Sequence, residues 1–222
     1  QKAYMLDTSK EEGEWKWEPL PWPKMKDGRP ARGRAYAVSA VKGDKFYLFG
    51  GRDQALSDDP APERVHQEKL DILSDCHVLD LKAGTWQQIA DLPKGMSAAP
   101  SAALPIGVSH LLMLGGVSAD YWRQQFEDRP ELNGAGEEHP GFERTLWAYD
   151  TITDTWAATG NLPEVAGELP VSVPVTTPVV EWKKKFIVPT GEIKPGIRSP
   201  QVIMAEVQKL DSRLGLVNWI VV

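Results

Sequence analysis

The sequence predicts an all-β protein assembled from repeated four-stranded antiparallel sheets, and three observations carry that prediction. Nineteen glycines and eighteen prolines stand among 222 residues, about one position in six against the roughly 12% of an average chain. They are dispersed rather than clustered, which suits many short strands joined by turns. Three apolar runs end in glycine: Phe46–Gly51 (FYLFGG), Leu111–Gly116 (LLMLGG) and Phe186–Gly191 (FIVPTG). The first two are followed by a second signature, Cys76–Asp80 (CHVLD) with Trp86 and Leu146–Asp150 (LWAYD) with Trp156. Both the Asp-to-Asp and the Trp-to-Trp spacings are 70 residues, and self-similarity at a fixed period marks a repeat architecture.

Taken in order, Tyr4–Asp7 with Trp15, Trp17 and Leu20-Pro21 matches only the second half of the unit, so the chain is expected to begin in mid-repeat. Each fuller unit reads as four strands. An alternating run comes first (35–40, 98–104 and 171–180). The apolar strand follows; a short continuous apolar run bounded by glycine suits a strand buried on both faces, and the glycines supply positive φ or close approach at its exit. The third strand ends in Asp, and the fourth carries a Trp expected to pack between neighbouring sheets. Asp91-Leu92-Pro93 and Asn161-Leu162-Pro163 close the units. Extra length falls after the glycines, in 52–75 and 117–145, where helical spacing predicts short helices over 63–73 and 120–127. Lys183–Lys185 reads as a charged hairpin turn.

Four-stranded sheets that cannot bury their faces alone imply a β-propeller. The predicted organisation is about three blades within residues 1–208 (a partial unit 1–23, then 32–93, 97–163 and a partial 170–208) followed by an apolar tail, 209–222. Closed propellers have roughly 4–8 blades, so an incomplete ring is expected, open or completed by a partner. The tail Leu214–Val222 (LGLVNWIVV) has two readings. It is an outer strand with Trp219 as its blade Trp, although Glu206 to Trp219 spans 13 residues against 6 from Asp80 to Trp86, or it opens a truncated membrane helix.

A formal net charge of −6 argues against a dedicated nucleic-acid binder, which carries a basic face, and favours a small molecule or a protein as partner. The single cysteine, Cys76, excludes an internal disulfide. His66, His77, His110 and His139 show no metal-ligand spacing, and no metal or other cofactor is expected. No interior stretch is apolar for the roughly 18 residues of a membrane-spanning helix. Gln1 in place of Met gives the start a trimmed look.

Candidate chemistry is concentrated at the third glycine. Aligning the three exits puts Arg52, Val117 and Glu192 at equivalent places, on one face of three successive blades. The third exit, Gly191-Glu-Ile-Lys-Pro-Gly-Ile-Arg198, carries one carboxylate and two cations, Lys194 and Arg198, on a loop stiffened by proline and glycine. As a bare pattern it is weak, and an ordinary turn with solvated charges explains it better. Arg34 and Tyr36 open an inner strand and can reach the central channel or simply pack. Arg52 is a second anion contact or a solvated loop residue. Tyr121, Trp122 and Phe126 suit the core of the insertion, and Cys76 and His77 a structural place in a strand.

The order Gly-Gly, then Tyr or Leu with Asp, then Trp resembles the kelch repeat up to about residue 208, with about 20 residues inserted per unit relative to the usual ~50. GEIKPGIR, together with Gly33–Ser39 (GRAYAVS) and Gly115–Arg123 (GGVSADYWR), resembles the kelch-type N-acetylneuraminate epimerases, or sialic acid mutarotases, including the form described as cyclically permuted. The resemblance implies an isomerase interconverting the α and β anomers of N-acetylneuraminate. It also implies Glu192 as catalytic acid/base, Arg198 facing the substrate carboxylate, and Arg34, Tyr36, Arg52 and Lys194 as further candidate contacts. The competing class is a kelch module that binds protein or carbohydrate without catalysis. Residues 215–222 resemble the start of the first membrane helix of a sodium:solute symporter, some of which are fused to such propellers, and the expectation leans slightly toward that fusion. Its corollary is a periplasmic or other extracytoplasmic place, membrane-tethered where the transporter follows.

Overall fold

The computed structural model describes residues 2–53, 71–123, 141–162, 173–208 and 216–221. A two-stranded hairpin comes first, β1 (Ala3–Leu6) on β2 (Trp17–Leu20), paired from Ala3 opposite Leu20 to Leu6 opposite Trp17. The first complete sheet runs β3 (Val38–Lys42), β4 (Lys45–Phe49), β5 (Cys76–Asp80), β6 (Thr85–Ile89) in spatial order. In the second, β7 (Met96–Ser97) and β8 (Leu104–Ile106) both pair with β9 (His110–Ser118), which is followed by β10 (Glu143–Asp150) and β11 (Thr155–Asn161). The third comprises β12 (Val180–Trp182) and β13 (Lys185–Val188), then a separate hairpin of β14 (Gly191–Lys194) and β15 (Ile197–Ser199), then β16 (Ile203–Gln208) and β17 (Leu216–Val221). Its ladder is β12-β13-β16-β17, with the hairpin outside it. The first and third ladders are the antiparallel four-strand meanders that the repeats predict; the second has five strands because its inner strand is split into β7 and β8.

Period-2 geometry explains why the second sheet needs apolar residues on both faces. Along β9, Leu111 and Met113 join a core with Val38, Phe49, Cys76 and Tyr149, between the first and second sheets. Leu112 and Leu114 enter a different core with Val188, Ile203 and Ala205 of the third sheet. Strand β10 divides likewise, Tyr149 to the first core and Leu146 and Ala148 to the second.

The glycine exits are required twice over. Gly50 and Gly115 have φ of +53° and +51°, and a Cβ on either would lie 2.3 Å from the Met96 carbonyl or 2.2 Å from that of Glu143. The recurrent Asp at the end of each third strand is a turn device: Asp80 Oδ1 accepts the N–H groups of Lys82 and Ala83 at 3.0 and 2.9 Å, and Asp150 Oδ1 accepts that of Ile152 at 2.9 Å.

The blade tryptophans share one register. Trp86 stands opposite Leu79, Trp156 opposite Tyr149 and Trp219 opposite Ala205, in each case the residue before the strand's acidic Asp80, Asp150 or Glu206. Trp156 does what the sequence predicts: its ring lies edge-on to Phe49 of the first sheet at 5.0 Å, and its Nε1–H donates to the Ala90 carbonyl at 3.0 Å. Trp86 instead packs edge-on against Phe46 of its own sheet, at 6.1 Å.

Three expectations are corrected or reduced. The tail takes the outer-strand reading in this structure: residues 216–221 are a strand paired with β16 along its whole length, which its β-branched and aromatic content favours. Among the described residues no helix is long and apolar enough to cross a membrane. The helix expected over 120–127 is one short turn, Ala119–Arg123, with 124–127 outside the described residues. Of the helix expected over 63–73, residues 63–70 also lie outside, and Ile72 is extended, bridged to Arg52. The inner runs 35–40, 98–104 and 171–180 are shorter as strands than predicted, because a bend falls near the start of each.

Candidate functional site

The bends that shorten the inner strands build the site. Arg52 and Ala35 exchange backbone hydrogen bonds of 2.8 and 2.9 Å, Val117 pairs with Ser97, and the Val175 N–H donates to the Glu192 carbonyl at 2.8 Å. Each exit residue is therefore clipped to the lead-in of its own inner strand. The residue after each clip is left-handed: Tyr36, Ala98 and Thr176 have φ of 55°, 57° and 54°. The Ala98 N–H donates to the Tyr36 carbonyl at 2.8 Å and the Thr176 N–H to the Ala98 carbonyl at 2.9 Å. This chain of bonds crosses three sheets and places the three exits side by side, so the equivalence of Arg52, Val117 and Glu192 inferred by alignment is a spatial one.

Glu192 and Arg198 are directly opposite each other across the β14–β15 hairpin. Opposed residues of an antiparallel pair project on one face with Cβ atoms about 4.5–5.5 Å apart, so carboxylate and guanidinium share that face. The Gly196 N–H donates to Glu192 Oε1 at 2.8 Å across the turn. Glu192 is half-buried and Arg198 exposed. Lys194 is half-buried beyond a register shift in the same hairpin, opposite Ile197.

The other candidates separate. The Arg52 guanidinium lies 4.6 Å from the centre of the Tyr36 ring, a cation–π contact, and Tyr36 is 48% exposed. Arg34 is directed inward. Its side chain is 3% exposed and pairs with Asp75 at 2.5 Å, and its other bonds go to the carbonyls of Arg32, Gly50 and Asp75. His77 Nε2 meets the same Asp75 oxygen at 2.6 Å. Burial by itself would raise the Asp75 carboxyl; the hydrogen bonds of His77 and Arg34, with the charge of Arg34, outweigh it and hold the group below its ordinary 3.8. Cys76, beside them, is pushed up to about 12 by burial, which leaves it a thiol with a structural place.

Sequence reasoning assigned Tyr121 to the insertion core and gave Thr176 no role. Tyr121 does pack on Phe142, at 5.6 Å between ring centres, but its hydroxyl is also pushed above the usual phenol range, first by burial and second by the charge of Glu192. Tyr121 lies on the short helical turn Ala119–Arg123 that follows the second glycine exit. A 480 Å³ cleft lined by Lys94, Ser118, Tyr121, Phe142, Glu143 and Asn161 among others opens there. Lys94 and Glu143 form an ion pair within it, and Thr145 Oγ1 donates to Glu143 at 2.7 Å. Burial alone would raise the Glu143 carboxyl, but these bonds hold it low. Thr176 was discoverable, since it occupies the place of Tyr36 once the glycine exits are aligned. Among the described residues no group of three or more His, Cys, Asp or Glu is placed to hold a metal ion.

Comparison with known proteins agrees with this architecture. A family model described as "N-acetylneuraminate epimerase" matches residues 1–218. A protein of Yersinia enterocolitica with the same description is 25% identical over 223 residues, covering 94% of this chain and 50% of the relative. One of Salmonella typhi is 24% identical over 218 residues, covering 91% and 49%. The chain thus spans about half the length of the curated relatives it matches. A solved structure titled "Structure of YjhT" superposes with a TM-score of 0.66 at 22% identity, covering 99% of this chain and 58% of that one. At that identity the likeness is one of fold.

Proposed function

The chain belongs to the N-acetylneuraminate epimerase family, and from that premise we propose that it serves the interconversion of the α and β anomers of N-acetylneuraminate by acid/base opening and closure of the sugar ring. The observation that carries this reading is the position of Glu192 directly opposite Arg198 on one face of a hairpin. The two groups answer the two demands of the chemistry. Opening needs the anomeric hydroxyl to lose its proton and the ring oxygen to gain one as its bond to the anomeric carbon breaks. Rotation of the open keto acid and reversal of these transfers then give the other anomer.

One carboxylate suffices to move that proton. The Gly196 N–H fixes Glu192 through Oε1, and Oε2 carries the proton between the two sugar oxygens. Arg198 presents a planar, permanently charged fork to the substrate carboxylate, and its exposure leaves it accessible. Arg52, seated on Tyr36 beside the same mouth, adds positive potential for an anionic substrate. Half-burial of Glu192 lets the site strengthen the interaction without stripping the carboxylate of water.

The test is anomer exchange followed by NMR on the full-length protein. Glu192→Gln is expected to slow catalysed exchange by about 10²–10⁴-fold, the usual contribution of a positioned acid/base. Equal rates for wild type and Glu192→Gln remove Glu192 as the base. A wild-type protein that binds the sugar acid without accelerating exchange replaces the enzyme reading with a carbohydrate-binding one.

A further inference from the structure

Non-glycine residues in the left-handed region are uncommon, and a β-branched one there is an outlier. At left-handed turns elsewhere the chain uses glycine, as at Gly43, Gly84 and Gly107, or a polar residue in a tight turn, as at Asp154, Lys183 and Lys184. At the inner lead-ins it uses Tyr36, Ala98 and Thr176 instead. Packing accounts for Ala98, whose methyl lies against the cluster of Val117, Phe142 and Val175. It does not account for the other two. Tyr36 and Thr176 are both exposed, so neither side chain gains from burial what its backbone loses. Strained residues of this kind persist where the surroundings hold them and cluster at ligand clamps. Here the surroundings are specific: the Thr176 N–H is bound to the Ala98 carbonyl and that of Ala98 to the Tyr36 carbonyl. Val175, the residue before Thr176, is clipped to Glu192.

We propose that Thr176 is a substrate-contact residue, its hydroxyl bonding a hydroxyl or amide group of the sugar acid held over Glu192, and that the left-handed chain Tyr36–Ala98–Thr176 exists to fix that hydroxyl relative to the acid/base. The inference rests on the function proposed above. A threonine hydroxyl both donates and accepts, which suits a polyhydroxylated ligand whose groups do the same. Thr176 and Tyr36 stand at the two ends of this chain with Ala98 between them, one at the Glu192 exit and the other at the Arg52 exit. Discrimination among sugar acids then depends on whether a hydrogen-bonding substituent reaches Thr176, while the carboxylate is read separately by Arg198.

The experiment compares Thr176→Gly, Thr176→Ser and Ala98→Gly in the full-length protein, measuring Tm and the KM and kcat of anomer exchange. Glycine relieves the strain, so Thr176→Gly is expected to raise Tm, to raise KM about 3- to 10-fold, the range for one lost neutral hydrogen bond, and to leave kcat nearly unchanged. Thr176→Ser, which keeps the hydroxyl, retains the wild-type KM. Ala98→Gly, which loosens the middle of the chain that positions the hydroxyl but leaves the hydroxyl itself in place, is expected to raise KM less than Thr176→Gly does. A Thr176→Gly protein of raised Tm and unchanged KM overturns the proposal, as does a serine variant that loses as much as the glycine one. If Glu192→Gln slows exchange while Thr176→Gly keeps its KM, this inference alone fails; if Glu192→Gln is also without effect, the parent reading fails with it.

Discussion

Arg34 and Asp75 form a buried ion pair, guanidinium to carboxylate at 2.5 Å, and the same Arg34 donates to the carbonyl of Gly50, the first glycine of the exit that leads to Arg52. Arg34 therefore acts on the mouth through the backbone that presents it. Removing one partner of a buried pair leaves the other uncompensated.

Arg34→Met is accordingly expected to destabilise the protein by about 3–5 kcal/mol, measured by urea unfolding at neutral pH. The pair also sets a pH dependence. Asp75 lies below its ordinary 3.8 when folded, so the unfolded chain binds the proton more tightly. The contribution is present above about pH 4 and is lost as the pH falls through the lower, folded value. Wild type should lose stability over that acid interval, and Asp75→Asn, already lacking the charge, should follow a flatter curve.

Arg198→Ala should leave Tm within a degree or two, because the side chain is exposed. It should raise the KM for the sugar acid about 10- to 100-fold, the value of a charge-assisted contact. Arg198→Lys is expected to recover only part of this, since an ammonium cannot match the two-pronged geometry. An unchanged KM for the alanine variant would remove Arg198 from the carboxylate site.

Trp156 and Asp154 join the first and second blades. Asp154 is left-handed, φ 54°, where the first blade has Gly84, φ 65°. It retains a side chain because Oδ1 accepts the Ala90 N–H at 2.7 Å and the Tyr149 hydroxyl at 2.8 Å. Asp154→Gly should therefore cost about 1–2 kcal/mol despite the relief of strain. Trp156→Ala, which vacates the contact with Phe49 and Tyr149, should cost about 3–5 kcal/mol. Chemical denaturation tests both; a stabilised Asp154→Gly would show that its bonds contribute little.

The β12–β13 turn is improvable. Lys183 and Lys184 both have positive φ, 50° and 63°, the geometry that favours Asn-Gly. Lys183→Asn with Lys184→Gly should raise stability by about 1 kcal/mol, read as a higher denaturation midpoint, even though it removes the contact of Lys183 with the Trp182 ring.

Much of this fold was legible because its repeats state it. The alternation of Leu111 to Leu114 between two cores, the Asp turns and the glycine exits follow from period and spacing alone. The direction of Arg34 was not legible, since an arginine opening a strand serves the channel or the interior equally well, and its partner Asp75 lies 41 positions away. Thr176 is reached only by aligning the glycine exits, which gives its place but not its geometry: φ is not written in side-chain chemistry, and a threonine by itself gives no hint of the left-handed backbone. The tail is ambiguous in sequence because nine largely apolar residues suit a strand or a helix, and it is the ladder with β16 that holds 216–221 extended here.

The hairpin bearing Glu192 and Arg198 interrupts the third blade without entering its ladder, which resumes with Val188 opposite Ile203. On the function proposed above, the groups that act on the sugar and the ladder that carries them are largely separate: residues 189–202 hold to the sheet through a few bonds such as that from Val175 to Glu192, and the β13–β16 rungs do not pass through them. Evolution of a new specificity on this frame requires changes in one short cassette and in the few residues that face it.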